Sequence, residues 1–295
     1  MAVRPAATRA WTGPLAWSGL IALLVVACSI AGLVDPRVYA QETQNWTLQA
    51  QGQDIGNLLA GLVLVVTAIR YRRGSTRAGL LWLGTLLYLI YAFTIYAMAI
   101  HLNYLFLLYV AVLGLSSWAV VTHVGPVRRG ALSYPTGRVR TVAAWTLIVT
   151  GVLFAALWLS ELVPALVTGQ PPASLTEAGL WVNPIHVIDL ALVLPAFIAT
   201  GVAALRQHQA GLFWLGPWLA FSVLMGSSII AAMLLMTGAG ESDAVPVAVM
   251  VSIVVLASLA ACWAYLQRTT ETRDGSGAAG DPSSSLPLVH HSQRC

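Results

Sequence analysis

Apolar residues fall in eight long runs, at about 14–34, 54–70, 78–100, 103–122, 141–163, 184–205, 211–236 and 244–266. A helix needs roughly 17–25 such residues to cross the hydrocarbon core of a bilayer, and every run reaches that length. Polar or charged residues, or Pro and Gly, separate each run from the next. The pattern predicts an all-α integral membrane protein of about eight transmembrane helices. The run at 54–70 is the shortest.

Composition strengthens this reading. Charged residues make up 9% of the chain and hydrophobic residues 58%, whereas an ordinary soluble domain is roughly one-quarter charged. So few charges cannot coat a soluble surface. All fifteen basic residues are Arg, which excludes any mechanism that needs a Lys Schiff base. Cys28, Cys262 and Cys295 have neither zinc-finger nor thioredoxin spacing. Cys28 and Cys262 read as small buried hydrophobes. The first run follows Arg4 and Arg9 as a signal peptide would, but it is longer than a typical apolar signal core and reads as a retained span.

The arginines give the spans a direction. If every run crosses, Arg4, Arg9, Arg70, Arg72, Arg73, Arg77, Arg128, Arg129, Arg138, Arg140, Arg206, Arg268, Arg273 and Arg294 share one side, and Arg37 alone lies opposite. The opposite side and the adjoining span ends hold Asp35, Glu42, Asp54, Glu161, Glu177, Asp189, Glu241 and Asp243. The positive-inside rule makes the arginine side cytoplasmic, with both termini there, in the plasma (cytoplasmic) membrane. Trp11, Trp17, Trp82, Trp118, Trp145, Trp214, Trp218 and Trp263 near the cytoplasmic ends, with Trp46, Trp158 and Trp181 near the outer ends, suggest an aromatic belt.

Five segments follow: a cytoplasmic start (1–13), a first four-helix unit (14–125), a basic cytoplasmic linker (126–140), a second four-helix unit (141–267) and a disordered cytoplasmic tail (268–295). In the linker, Arg128, Arg129, Arg138 and Arg140 are expected to meet anionic lipid headgroups. The bilayer is the partner the sequence specifies; no nucleic-acid partner is expected, and no protein partner is indicated. His290 and His291 are adjacent in the tail, too little for a metal site.

The two units resemble each other. Trp46, Gln51 and Asp54 have the same spacing as Trp181, His186 and Asp189. Each set is followed by an apolar run, an Arg-containing turn, and then Leu-Trp-Leu-Gly (81–84) or Phe-Trp-Leu-Gly (213–216). Four spans are an even number, so the second copy enters the membrane in the same sense as the first. The expectation is two parallel four-helix repeats about an axis along the membrane normal.

Asp189 is the most informative single residue. Asn183 and Pro184 look like a helix cap and first turn, which places Asp189 more than one turn into the span. An ionisable group there must face protein or water. His186 shares its helical face, and the pair could bind a cation, relay protons or fix an imidazole tautomer. Asp54 reads most simply as the cap of span two, although the repeat favours a role matching Asp189. Gln51 belongs to the same set. His101 and Asn103, in the turn between spans three and four, fall at the same membrane level. In span three, Tyr88 and Tyr91 share a face and either line a path or join helices; Tyr96 lies well round the helix. Pro195 is a candidate hinge.

The chain has no Walker A motif, no His-Glu-x-x-His and no Gly-x-Ser-x-Gly, and no paired His at mid-membrane for bis-His haem. The stretch Arg72-Arg73-Gly74-Ser75, Leu81-Trp82-Leu83-Gly84, Tyr88, Tyr91 and Asn103 to Val110 resembles a group of uncharacterised bacterial multi-pass membrane proteins. Asn183-Pro184 with Asp189-Leu190 is similar to the second half of that group. The resemblance implies a fold and a bacterial origin, and no reaction.

Three functions remain. The first is a transporter or permease for a small cationic or protonatable solute, with a site between the repeats near Asp54, His101, His186 and Asp189. The second is a membrane-embedded enzyme or metal-binding protein at the outer leaflet. The third is a non-catalytic subunit. No cofactor is predicted; a divalent metal, if any, would sit on His186 and Asp189.

Overall fold

The computed structural model describes residues 13–130, 132–241 and 244–271. Arg4, Arg9 and Trp11, and the tail from residue 272 with Arg273, His290, His291, Arg294 and Cys295, lie outside the described residues, as does Asp243. The elements are α1 (Gly13–Val34), α2 (Gln44–Arg72), α3 (Thr76–Ala99), α4 (Phe106–Arg129), β1 (Leu132–Ser133), α5 (Gly137–Thr168), a short α6 (Ala173–Ala178), α7 (Pro184–Ile188), α8 (Leu194–Leu205), α9 (Gln209–Gly238), α10 (Ala244–Arg268) and β2 (Thr270–Glu271). A π-helical turn, Asp189–Val193, joins α7 to α8, so Pro184–Leu205 is one continuous span. Among the described residues, eight helices are long and apolar enough to cross a membrane. The surface agrees with that: along α5, Val142, Trp145, Val149 and Val152 face outward in a stripe at helical spacing. A multi-pass membrane protein presents such a stripe to lipid.

Span two starts well before the apolar run. Thr43 has extended backbone, and its Oγ1 accepts from the Trp46 N–H at 3.2 Å. Thr43 is therefore the cap of α2, and Asp54 lies inside the helix. Gln44, Asn45, Gln49, Gln51 and Gln53 interrupt the hydropathy but not the helix, because Gln is a good helix former. In span six, Pro195 has no N–H to give the carbonyl four residues back. The ladder widens just before it, and the Leu194 N–H bonds to the Asp189 carbonyl instead. The irregularity foreseen at Pro195 thus begins at Asp189.

The helices pack in the same order in each half. In the first, α1 meets α2, α2 meets α3, α3 meets α4, and α4 returns to α1. In the second, α5 meets α8, α8 meets α9, α9 meets α10, and α10 returns to α5. The halves join mainly where α9 lies against α2 and α3. Small residues make that approach close. A Cβ on Gly52 would overlap the backbone of Ala232, and one on Gly56 would overlap Ser228. A Cβ on Gly84 would overlap the Pro217 carbonyl. Without a hydrophobic drive between helices in lipid, such packing holds them together.

At the arginine-rich end, β1 pairs antiparallel with β2, Leu132 opposite Glu271 and Ser133 opposite Thr270. The Glu271 carboxylate accepts from Ser75 Oγ and from the Arg77 N–H, both at 3.0 Å. Residues 268–271, expected to begin a disordered tail, are therefore ordered: the strand pair and the α3 N-terminus hold them. Arg128 and Arg138 are exposed beside this ladder. Two tryptophans depart from the belt. Trp82 is fully buried and donates to Ser18 Oγ at 2.7 Å; Trp46 is buried and donates to the Ala99 carbonyl at 2.8 Å. Both indoles tie helices together. Trp181, by contrast, is fully exposed, so the two tryptophans with matching spacing sit in different surroundings.

Candidate functional site

At the acidic end, the segment between α1 and α2 folds over the first half and is pinned by the turn before α4. The Glu42 carboxylate accepts from the His101 N–H at 2.7 Å and stands 3.0 Å from His101 Nδ1. Asn103 Nδ2 donates to the Val38 carbonyl at 3.1 Å. The Tyr104 hydroxyl and the Arg37 guanidinium both reach Asp35, at 2.6 and 2.7 Å. Hydrogen bonds from Arg37, then Tyr104, hold the Asp35 carboxyl well below the usual carboxylate range. His101 and Asn103 thus secure a loop, and neither lines the central cavity.

The loop carries Tyr39 into the first half, where it meets Asp54. Tyr39 donates to Asp54 Oδ2 at 2.7 Å, and the Tyr96 hydroxyl is 2.9 Å from Oδ1. The carboxyl is 1% exposed. Gly32 of α1 backs it directly, since a Cβ there would overlap Oδ2. Phe93, Tyr96 and Tyr109 cluster around this point at tilted angles, with ring centroids 5.2–6.2 Å apart. Side chains thus fill the space around Asp54.

The second half encloses a cavity of about 230 Å³ instead. Trp158 of α5, Asp189 of the π turn, Phe197 of α8 and Phe221 of α9 contribute to its wall. The first half closes it with Gln53 of α2 and with Tyr91 and Tyr96 of α3. A second hollow, near 550 Å³, shares Met233 and Val247 with it and is bordered by Gln44, Asn45, Glu177 and Glu241 at the acidic end.

Asp189 is the carboxylate on the cavity wall. Its Oδ2 accepts from Trp158 Nε1 at 2.8 Å, and the Tyr91 hydroxyl lies beside it. His186 is buried behind Trp158, ring centroids 4.6 Å apart, with Nε2 3.8 Å from Glu161. One indole thus meets both members of the His–Asp pair, one by ring contact and one by a hydrogen bond. Among the described residues, no three or more His, Cys, Asp and Glu side chains come together as a metal-binding group.

The remaining candidates divide in the same way. Gln51 does not line the cavity; Gln53, on another face of α2, does. Gln53 Nε2 donates to the Tyr88 hydroxyl at 2.6 Å, and its Oε1 accepts from Ser228 at 3.2 Å. Tyr88 is thus a bridge between helices, and Tyr91 is on the cavity wall, packed edge-on against Phe221. Of Asp54, His101, His186 and Asp189, only Asp189 lines the cavity; Asp54 reaches it through Tyr96. Residue-level reading missed Gln53 and the pairing of Asp54 with Tyr39 and Tyr96. It also took Trp158 for a membrane anchor. No family model, curated protein or solved structure matches this chain.

Proposed function

We propose that this multi-pass membrane protein is a transporter or permease for a small cationic solute, with the Asp189 cavity as its outward-facing site. The observation that carries the reading is a single carboxylate on the wall of an otherwise largely apolar cavity. Trp158, Tyr91, Phe197 and Phe221 contribute aromatic rings to the same wall, and aromatic rings attract cations. An intramembrane carboxylate facing a cavity is a functional feature by default. The hollow bordered by Glu177 and Glu241 gives the solute an acidic approach.

Two parallel repeats fit the same picture. The packing order α1–α2–α3–α4 recurs as α5–α8–α9–α10. Gly84 and Gly216, from the matching Leu-Trp-Leu-Gly and Phe-Trp-Leu-Gly segments, both lie in the α3–α9 contact, Gly84 against Pro217 and Gly216 against Leu80. The arginine-rich end is then cytoplasmic by the positive-inside rule, and the cavity opens outward.

Tetraethylammonium is a suitable probe because its fixed charge keeps it from crossing lipid unaided. Proteoliposomes of the full chain should take it up, and Asp189→Asn should abolish uptake while leaving the fold intact. Uptake by Asp189→Asn at the wild-type rate would refute the reading.

A further inference from the structure

Asp54 is buried in the first half. The titratable groups that feel its charge are Cys28 of α1, Tyr39 of the loop, Tyr88 and Tyr96 of α3, and Tyr109 of α4. Among the described residues, no Arg or His forms an ion pair with Asp54. An isolated buried charge is costly unless something compensates it. A metal ion would need several ligands, and among the described residues no three or more His, Cys, Asp and Glu side chains come together as a metal-binding group; Tyr39 meets Oδ2, Tyr96 meets Oδ1, and Gly32 backs the group so tightly that a methyl would not fit. A proton needs no such room.

The hydrogen count at Tyr96 points the same way. Its hydroxyl has one hydrogen but lies near two acceptors, the Ala50 carbonyl at 3.0 Å and Asp54 Oδ1 at 2.9 Å. With Asp54 ionised, Tyr96 donates to Oδ1. With Asp54 protonated on Oδ1, the acid donates to the Tyr96 oxygen, and Tyr96 donates to Ala50. The same heavy-atom positions serve both states. Ser29 Oγ, fully buried next to the carboxylate without completing a hydrogen bond, is a spare polar group for the ionised one. Tyr96 also lines the cavity.

We propose that Asp54 is a reversible proton-binding site that communicates with the cavity through the Tyr96 hydroxyl, making the proton the coupling ion for movement of the cationic solute. The transfer balances without another reactant. A proton from cavity water joins the Tyr96 oxygen as the tyrosine hydrogen passes to Asp54 Oδ1, leaving a neutral tyrosine and a neutral acid. Release reverses both steps. Tyr39 serves as the fixed donor on the far side: burial, then the adjacent carboxylate, push its phenol well above the usual tyrosine range, so it stays protonated.

The coupling half of this proposal rests on the transport reading; the proton site does not, and its test needs no solute. Infrared difference spectra of the full chain in lipid, recorded against pH, should show a protonated-carboxyl stretch that disappears on raising the pH. Asp54→Asn should remove it and Asp189→Asn should retain it. Tyr96→Phe should shift it to higher frequency, as the acid loses its acceptor, and should slow its exchange in heavy water. Tyr109→Phe, which deletes a hydroxyl that completes no hydrogen bond among the described residues, should do neither. If Asp54→Asn does not fold, the Tyr96→Phe shift still identifies the band. Absence of a pH-dependent carboxyl band, or an unchanged band and exchange rate in Tyr96→Phe, overturns the proton site. If the band behaves as stated but an imposed pH gradient does not alter tetraethylammonium uptake, the coupling is overturned and the proton site stands. If no uptake occurs even in the wild type, the transport reading and the coupling built on it both fall.

Discussion

Gly52→Ala adds one methyl group at the closest approach of the two halves. The new Cβ would fall on the backbone of Ala232, and backbone cannot turn aside as a side chain can. Non-bonded carbons settle about 3.5–4.0 Å apart, and a gap of 0.5–1 Å forfeits a quarter to a half of each contact. α2 and α9 must therefore part locally by about 1 Å. Overpacking of this kind costs typically 1–3 kcal/mol, and an immovable obstacle belongs at the upper end. The Gln53–Ser228 hydrogen bond, already 3.2 Å long, would break at a further cost of about 1 kcal/mol. The better helix propensity of Ala offsets up to about 1 kcal/mol. The net loss is about 2–3 kcal/mol, or a fall in Tm of roughly 5–10 °C by the scaling of medium-sized domains.

Gly61→Ala is the control, because its Cβ would meet only Val25 Cγ1 at 3.7 Å, an ordinary contact. It should leave Tm unchanged or raise it slightly. Cys28 and Cys262 are buried free thiols, so a thiol-reactive fluorophore in detergent reports unfolding directly once Cys295 is changed to Ser. Equal melting of Gly52→Ala and wild type would refute the close packing of α2 on α9.

Trp158→Phe keeps a ring against His186 but deletes the N–H that Asp189 accepts at 2.8 Å; it should cost about 1–3 kcal/mol, and combined with Asp189→Asn it should cost less than the two changes added, by the same melting assay. Burial would raise the Glu271 carboxyl, but the Arg77 N–H, the Ser75 hydroxyl and the Arg77 charge outweigh it and hold the group below its ordinary value of 4.5. Its folded-state value being the lower one, its stabilisation is complete above the unfolded value and fades as pH falls through the folded one; acid melts should show a pH-dependent fall that Glu271→Gln lacks. Glu42→Gln should raise amide hydrogen exchange at residues 38–43 and 100–103, where it releases His101, with a Tm change worth less than about 1 kcal/mol because one partner is exposed.

The number of spans was legible because lipid imposes one simple demand, twenty or so apolar residues in a row, and a run meets it or does not. The start of α2 was not, because its first turns carry glutamines that lower hydropathy while favouring helix. That misplacement hid Gly52-x-x-x-Gly56, a motif recognisable only once it is assigned to a transmembrane helix. Pro195 marked a break in span six, since a missing N–H is a local fact. Where the ladder would widen depended on the surrounding turns. The partners of the two aspartates were beyond local reading altogether: Tyr39, Tyr96 and Trp158 reach them across loops and between helices. Trp82 misled for a related reason. An indole near a cluster of arginines reads as an interface anchor, but its N–H finds Ser18 on α1.

Asp54 and Asp189 stand at matching places in two matching sets, yet the chain surrounds them differently. In the first half, Tyr39 arrives from a loop, the Tyr96 and Tyr109 rings pack beside it, and the carboxyl is sealed with hydroxyls on both oxygens. In the second half, Trp158 occupies one oxygen of the carboxyl, and the cavity opens in front. A sealed acid suits a proton, which moves along hydroxyls and needs no volume. An acid on a largely apolar, aromatic-lined wall suits an organic cation, which needs volume and an apolar surface. Tyr96 belongs to both sites, bonding Asp54 while lining the cavity that holds Asp189. On the proposed transport reading, the two acids are separate seats for two positive charges, joined through Tyr96, so that filling one alters the electrostatics of the other.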